Sequence, residues 1–514
     1  MWQPLPLGIC FVRFWSVIEG DVIVTENVVV GAEAGNKRAE SPSGSVLLIS
    51  LLLIATFVVI LNETILSVAL PTLMVDLDIS APTAQWLTSG FLLTMAIIIP
   101  TTGFIIQRFK LRSIYVFAMT AFTIGTLIAA LAPGFEVLMV ARVIQAVGTA
   151  LMIPMLMTTI LTVVPEHSRG RVMGLISIVI SVAPAVGPTV SGLILQSLSW
   201  RAMFWIVLPI AAAVLVLGGV FVRNVTEPRP AYLDYISVPL SALGFGGVVY
   251  GLSSIGESAS GHTPVPPWVP ITIGVIALVL FVVRQQRLVS RGRALLDLRT
   301  FKIAPFRLAV GLMGGLMLTL FGALILLPLY LQNVLDKSVL TTGLVLLPGG
   351  LVMGLLSPGV GALFDRWGAR PLVLPGTIAM SVGTWLLATL GPDSTIGHVI
   401  FAHVILSAGI AFALTPLMTT ALGSLPMELY SHGSAIVSTV QQVAGAAGTA
   451  LFITLMTRGT TSSADDGSDQ INAAGDGVHL AFVVAGVLSV VLVLAATMVR
   501  SSKKTVPEVP AAQV

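Results

Sequence analysis

Few residues in this sequence can do chemistry inside a membrane, and the first lies in LNETILSVALP (61–71), directly after the uncharged run SVLLISLLLIATFVVI (45–60). Glu63 is thus an acid within a stretch long enough to cross a bilayer. Of the 23 acidic residues, ten fall in outer loops, seven in inner loops or the C-terminal tail and five in the N-terminal tail, which leaves Glu63 as the one within a span. An intramembrane acid is expensive to retain without use, and its chemistry is the uptake and release of a proton. The second such residue is Arg142, in the fourth apolar run. An intramembrane arginine costs roughly 2.5–3.5 kcal/mol on insertion scales, so it calls for a partner or a wet cavity. With a first helix ending near Leu70 and a fourth beginning near Glu136, each residue lies about 10 Å from the outer face, and the two can face each other. Apolar surroundings favour the neutral acid and a nearby guanidinium favours the carboxylate, so the two influences on that proton oppose one another.

These residues need a frame of membrane helices. The chain is 56% apolar and 10% charged, with a mean hydropathy of +0.99, which excludes an ordinary soluble domain. Fourteen apolar segments of spanning length follow one another between residues 45 and 500, and none alternates like a transmembrane strand. Lysine and arginine give the orientation. With the N-terminus inside, nineteen basic residues fall in inner loops or the C-terminal tail, and only Arg201, Lys337 and Arg458 fall outside. The net charge of +3 therefore records topology; the basic stretch 284–307 lies between spans and gives no support to nucleic-acid binding. Residues 1–44 read as a cytoplasmic tail holding the single cysteine, Cys10, so no disulfide forms within the chain. The acidic, Gly/Ser-rich segment 458–477 reads as a flexible outer loop.

The chain also repeats itself. A shift of 261 residues lays AHVILSAGIAFALTPLMTT (402–420) on ARVIQAVGTALMIPMLMTT (141–159) with nine of nineteen positions identical, and a shift of 258 lays GALFDRWGARP (361–371) on GFIIQRFKLRS (103–113). The spans after residue 301 are a second copy of the first six in the same orientation. The expected organisation is a tail (1–44), a six-helix bundle (45–222), an inserted helix pair with its linkers (223–300), a second six-helix bundle (301–500) and a cytoplasmic tail (501–514). The repeat mate of Arg142 is His403, either a second proton-responsive group or a neutral imidazole bonded to a backbone carbonyl.

GFIIQRFKLRS and GALFDRWGARP resemble the loop motif of the major facilitator superfamily, and ARVIQAVG resembles its fourth-helix motif. SVAPAVGPTVSG (181–192) resembles the fifth-helix antiporter motif. LSWRAMFWIVLPI (198–210) and LNETILSVALP resemble the fourteen-helix drug:proton antiporters of the EmrB/QacA type, the latter especially the lincomycin-resistance-like branch. The resemblance implies an all-α polytopic membrane protein with the major facilitator fold, two pseudo-symmetric six-helix bundles plus two inserted helices. It also implies a proton-coupled multidrug exporter working by alternating access in the cell membrane, with both termini cytoplasmic. Protons are then the coupling ion and no cofactor is needed. The partners are small amphipathic substrates and the bilayer, with a periplasmic adaptor if the cell has an outer membrane, and the chain acts as a monomer.

The other motif residues are mechanical on this reading. Pro184 and Pro188 bend the fifth helix while Gly187 and Gly192 admit a close neighbour. Asp365, Arg366 and Arg370 are placed to latch onto Arg169 or Arg171; the first-half counterpart has Gln107 with Arg108 and Arg112, so its latch is a neutral hydrogen bond. Asn62, Gln145, Gln441 and Gln442 are polar candidates for a substrate cavity, with Met152, Met155, Phe412 and Met418 as soft walls. No triad, phosphate loop or metal-ligand spacing is present, so the chain reads as a transporter, not an enzyme. An exporter of one endogenous metabolite, lipid or peptide is the alternative on the same scaffold, and a non-transporting receptor or scaffold is the reading from another class.

Overall fold

With no water in the hydrocarbon to bond the backbone, a spanning chain must satisfy its N–H and C=O groups internally, and helices do so one segment at a time. A computed structural model describes residues 42–499 apart from 80, 226–227, 229–231, 259–264, 292 and 466–468. The described residues form fourteen long helices: α1 (Pro42–Asp76), α2 (Ala81–Ile98), α3 (Leu111–Leu131), α4 (Phe135–Val163), α5 (Arg169–Leu195), α6 (Arg201–Phe221), α7 (Ser237–Ser258) and α8 (Trp268–Val289), then α9 (Ala304–Asn333), α10 (Val339–Trp367), α11 (Arg370–Ala388), α12 (Ile396–Gly423), α13 (Tyr430–Asp465) and α14 (Gln470–Ala496). A 3-10 turn at Ile99–Thr101 and a short helix, Thr102–Arg108, carry α2 on to its loop as one span. Thirteen are long and apolar enough to cross a membrane; in α7 the apolar stretch is shorter, Ser237–Leu252. The tails with Cys10, most of the expected segment 1–44 and all of 501–514, lie outside the described residues.

The pairing of helices repeats along the chain. In the first half α1 lies against α4, α5 and α6, α2 against α4, and α3 against α4 and α6; in the second α9 lies against α12, α13 and α14, α10 against α12, and α11 against α12 and α14. The halves meet through α5 on α10 and its repeat mate, α13 on α2. The added pair stands outside: α8 packs on α7, and α7 on α2 and α13, where Trp86 stacks on Tyr250 with ring centroids 5.4 Å apart. A polar knot ties this pair down. Arg284 grips Asp234 through two bonds of 2.6 and 2.7 Å, and Gln285 donates to Ser237 and accepts from the backbone N–H groups of Leu295 and Leu296. Arg284 holds the Asp234 carboxyl well below the usual range, at about 2, with Ser237 assisting.

Two sequence expectations change. The loop expected at 458–477 is mostly helix, because α13 runs to Asp465 and α14 starts at Gln470. Gly459 and Gly477 let these helices approach closely, and Ser463 donates to Asp476 at 2.5 Å, so an antiparallel hairpin continues beyond the apolar stretch. Likewise α1 continues past Leu70 to Asp76, so Glu63 lies about 20 Å along the axis from its end.

Candidate functional site

Arg142 anchors the site. Its side chain is 0% exposed on α4, and three groups hold its planar fork. Nε donates to the Leu87 carbonyl (3.3 Å), one terminal nitrogen donates to Gln145 Oε1 (3.0 Å), and the guanidinium carbon stands 4.0 Å from the centre of the Phe91 ring. Gln145, one turn on, donates in turn to Thr126 of α3 at 2.9 Å. The second terminal nitrogen of Arg142 has no partner among the described residues. Glu63, partly buried on α1, is the acid that acts electrostatically on this guanidinium, and no hydrogen bond or ion pair joins the two. An arginine desolvated to this degree, with one nitrogen unspent and a carboxyl within electrostatic reach, forms a centre whose energy changes with the proton on that carboxyl.

The antiporter-like motif lies beside Glu63. Thr64, the next residue, donates to the Ala183 carbonyl of α5 at 3.3 Å, directly before Pro184. A Cβ at Gly187 would run into Thr64, so only glycine allows this approach; a Cβ at Gly192 would stand 3.9 Å from Leu340 of α10, an ordinary contact, so that position does not require glycine. Pro184 and Pro188 remain inside the continuous helix α5.

His403 occupies the repeat-related place on α12, buried at 3% exposure. Where Arg142 stacks on Phe91, His403 abuts Gly349, the residue 258 positions after Phe91. Its Nδ1 has no hydrogen-bond partner among the described residues, which gives the carbonyl-bonded alternative no support at that nitrogen. Of the cavity candidates, Asn62 is buried with Nδ2 unpartnered among the described residues, and Gln441 likewise leaves Nε2 unpartnered. Gln442 and Phe412 are partly buried. Met152, Met155 and Met418 are 0% exposed within the helix-packing core, so in this conformation they fill the interior instead of lining an open wall. Gln145, also 0% exposed, buttresses Arg142 and does not line a cavity.

At the end of the molecule that carries the arginine-rich loops, hydrogen bonds cross between the halves. The Asp365 carboxylate accepts from the backbone N–H groups of Gly170 (2.9 Å) and Arg171 (3.0 Å), the first turn of α5, where the helix dipole favours an anion. Of the two arginines expected as partners, Arg169 turns its side chain to the Leu161 and Val164 carbonyls and, at 3.2 Å, the Tyr430 hydroxyl, while Arg171 meets Asp365 through its backbone N–H. Gln107 donates to Ser431 Oγ (2.7 Å) and stands 2.9 Å from His432 Nε2. Arg108, Arg112, Arg366 and Arg370 are exposed. Thr158 with Ser434 (2.9 Å) and Ser177 with Thr415 (2.8 Å) extend the seam inward. Ser431 and His432 were not anticipated from the sequence, although a shift of 261 carries Gly170 and Arg171 onto them.

The sequence profile of the Major Facilitator Superfamily matches residues 52–449. A protein named lincomycin resistance protein LmrB from Listeria monocytogenes is 43% identical over 461 residues, 89% of this chain and 97% of that protein. An MFS-type transporter of Bacillus subtilis, YcnB, is 38% identical over 92% of this chain and 98% of its own length. The human organic anion transporter MFSD10 superposes with a TM-score of 0.61 at 13% identity, covering 88% of this chain and 99% of that one. The proton:xylose symporter XylE superposes with a TM-score of 0.57 at 16% identity, covering 88% and 95%. These last two likenesses speak to fold alone. The helix pairing, the repeated halves and the matched profile agree, and the chain belongs to the major facilitator superfamily, in its drug-efflux-like branch.

Proposed function

We propose that this protein is a proton-coupled exporter of amphipathic compounds, working by alternating access in the cell membrane with its arginine-rich end and both termini in the cytoplasm. The observation that carries this reading is the pair of Glu63 and Arg142: an acid in a membrane helix beside a fully buried guanidinium with one nitrogen unspent. The deprotonated carboxylate draws on Arg142, and the protonated acid leaves the guanidinium to Leu87, Gln145 and Phe91. Because Thr64 touches α5 at the carbonyl before Pro184, a shift of α1 reaches the helix that forms the seam with α10. Proton occupancy thereby biases which end of the seam is closed. The conformation seen is closed at the arginine-rich end, so on this reading it is not the inward-open member of the cycle.

The test uses inverted membrane vesicles with a preformed pH gradient. Addition of a substrate, lincomycin first because of the relatives' name, should collapse the gradient, and Glu63→Gln should abolish that response with the protein still in the membrane. A response that survives Glu63→Gln would move coupling away from this acid; no response to any amphipath would remove the multidrug reading and favour an exporter of one endogenous compound.

A further inference from the structure

The two contacts at the arginine-rich end are repeat mates built from different chemistry. A shift of 258 carries Gln107 onto Asp365 and Gly103 onto Gly361, and a shift of 261 carries Gly170 and Arg171 onto Ser431 and His432. The packing follows suit: a Cβ at Gly361 would meet Gly170 and Arg171, and one at Gly103 would meet His432 (3.3 Å) and the Ser431 carbonyl (3.4 Å). On one side an aspartate accepts two backbone N–H groups. On the other a neutral amide meets an imidazole.

This imidazole is confined. His432 is 9% exposed; its Nδ1 makes no hydrogen bond of good geometry among the described residues, and the Leu295 backbone acts on the ring as a weak acceptor. Gln107 Nε2 can donate to His432 Nε2 only if that ring nitrogen carries no proton, so the closed contact selects the neutral ring with its proton on Nδ1. An imidazolium would set N–H against N–H. Turning the Gln107 amide over would offer its oxygen instead, but the charge would stay buried in the first turn of α13, the end at which a helix repels cations.

The charged neighbours offset that charge only in part. From the linker before α9, Asp297 favours a charged ring and Arg299, acting more weakly, opposes it, while Arg299 ties up Asp297 through contacts of 2.6–3.1 Å. Burial works against the Asp297 charge, yet Arg299 keeps its carboxyl below the usual range. From α2 come neutral Gln107 and exposed Arg108; from α5, Arg169 reaches Tyr430; the turn before α13 carries exposed Glu428.

We propose that His432 is a second proton-responsive site, a gate residue whose neutral ring holds α2 to α13 and whose protonation from the arginine-rich side releases that half of the closed seam. Asp365 stays engaged on α5 under the same conditions, so acid on this side loosens the gate asymmetrically. The inference rests on the alternating-access reading and not on Glu63 as the coupling acid.

Spin labels on Phe109→Cys and Met427→Cys, both exposed and flanking the contact, in a Cys10→Ser, Glu63→Gln chain, from which the coupling acid is removed, would report the opening as a distance distribution in lipid nanodiscs. Between about pH 8 and about pH 5.5 the open-to-closed ratio should rise at least about fivefold, a one-proton response being limited to about tenfold per pH unit. His432→Gln, which keeps a neutral polar group at the Nε2 position, should make the distribution independent of pH. Gln107→Glu should cancel or reverse the response, because a carboxylate there pairs with the imidazolium. The proposal is overturned if the Glu63→Gln chain is insensitive to pH or if its response persists when His432→Gln is added; a response seen only with Glu63 restored assigns the acid sensed to Glu63, and the coupling reading then stands without this one.

Discussion

At the scale of single residues, the membrane site depends on how a guanidinium is held and not merely on its charge. Arg142 spends Nε on Leu87, one terminal nitrogen on Gln145 and its face on Phe91, a set of contacts that a lysine ammonium cannot reproduce from one point. Arg142→Lys should therefore keep the positive charge near Glu63 yet reduce substrate-driven proton flux by at least about tenfold, the scale of about 1.4 kcal/mol lost from a bidentate, stacked arrangement. Flux in vesicles, normalised to membrane-inserted protein, decides this; a lysine variant of near-parent activity would reduce Arg142 to a bare charge. Charge accounting made Glu63 and Arg142 legible in the sequence, because an acid or a guanidinium inside an apolar run stands out. The same reasoning did not anticipate that Gln145, Met152, Met155 and Met418 are fully buried in this conformation. Residue type marks a side chain as polar or soft, but burial is settled by neighbouring helices. Gln145 did carry a usable signal, since it sits three residues from Arg142 on the same helical face.

At the scale of elements, the apolar runs and their order were legible, and the helix ends were not. Hydropathy marks where a helix enters lipid, whereas α13 and α14 continue as a hairpin because small residues such as Gly459 and Gly477 let their backbones meet. The inserted pair shows a related gap: its place outside the halves follows from the repeat, but the knot that fixes it joins Asp234 to Arg284, far apart in sequence. Removing one partner of such a pair strands the other. Asp234→Asn should lower stability in detergent by about 1–3 kcal/mol, less than a fully buried pair because Arg284 is 32% exposed. The sign with pH is fixed by the direction of the shift. The carboxyl is depressed from 3.8 to about 2, so the pair's contribution is whole above about pH 4 and is lost only as pH falls through about 2. Melting of the purified protein between pH 5 and pH 8 should then show the same deficit for Asp234→Asn at each pH; a deficit that shrinks at the acid end of that range would assign the effect to another group.

At the scale of the whole molecule, the two halves are held together at one end by unlike fastenings. The resemblance in sequence gave the loop motifs, and the departure at Gln107 foretold a neutral contact there, but neither told which groups across the seam would receive them. Asp365 answers with the backbone of α5, a partner that no inspection of side chains reveals. Hydrogen bonds to a charged acceptor are worth about 1.5–3 kcal/mol and neutral ones about 1. Asp365→Asn keeps an acceptor oxygen while removing the charge that the start of α5 favours, so the closed end should lose about 1–1.5 kcal/mol, roughly tenfold in the closed-to-open ratio. Labels on exposed His167→Cys and Trp367→Cys in the Cys10→Ser chain would read that shift across the α5–α10 seam. Because this side carries no imidazole in the contact, the shift should be the same at about pH 8 as at about pH 6, in contrast to the response expected across α2 and α13. An unchanged distance distribution in Asp365→Asn would mean that the Gly170–Gly361 backbone approach and the inner Ser177–Thr415 bond hold the seam without the carboxylate.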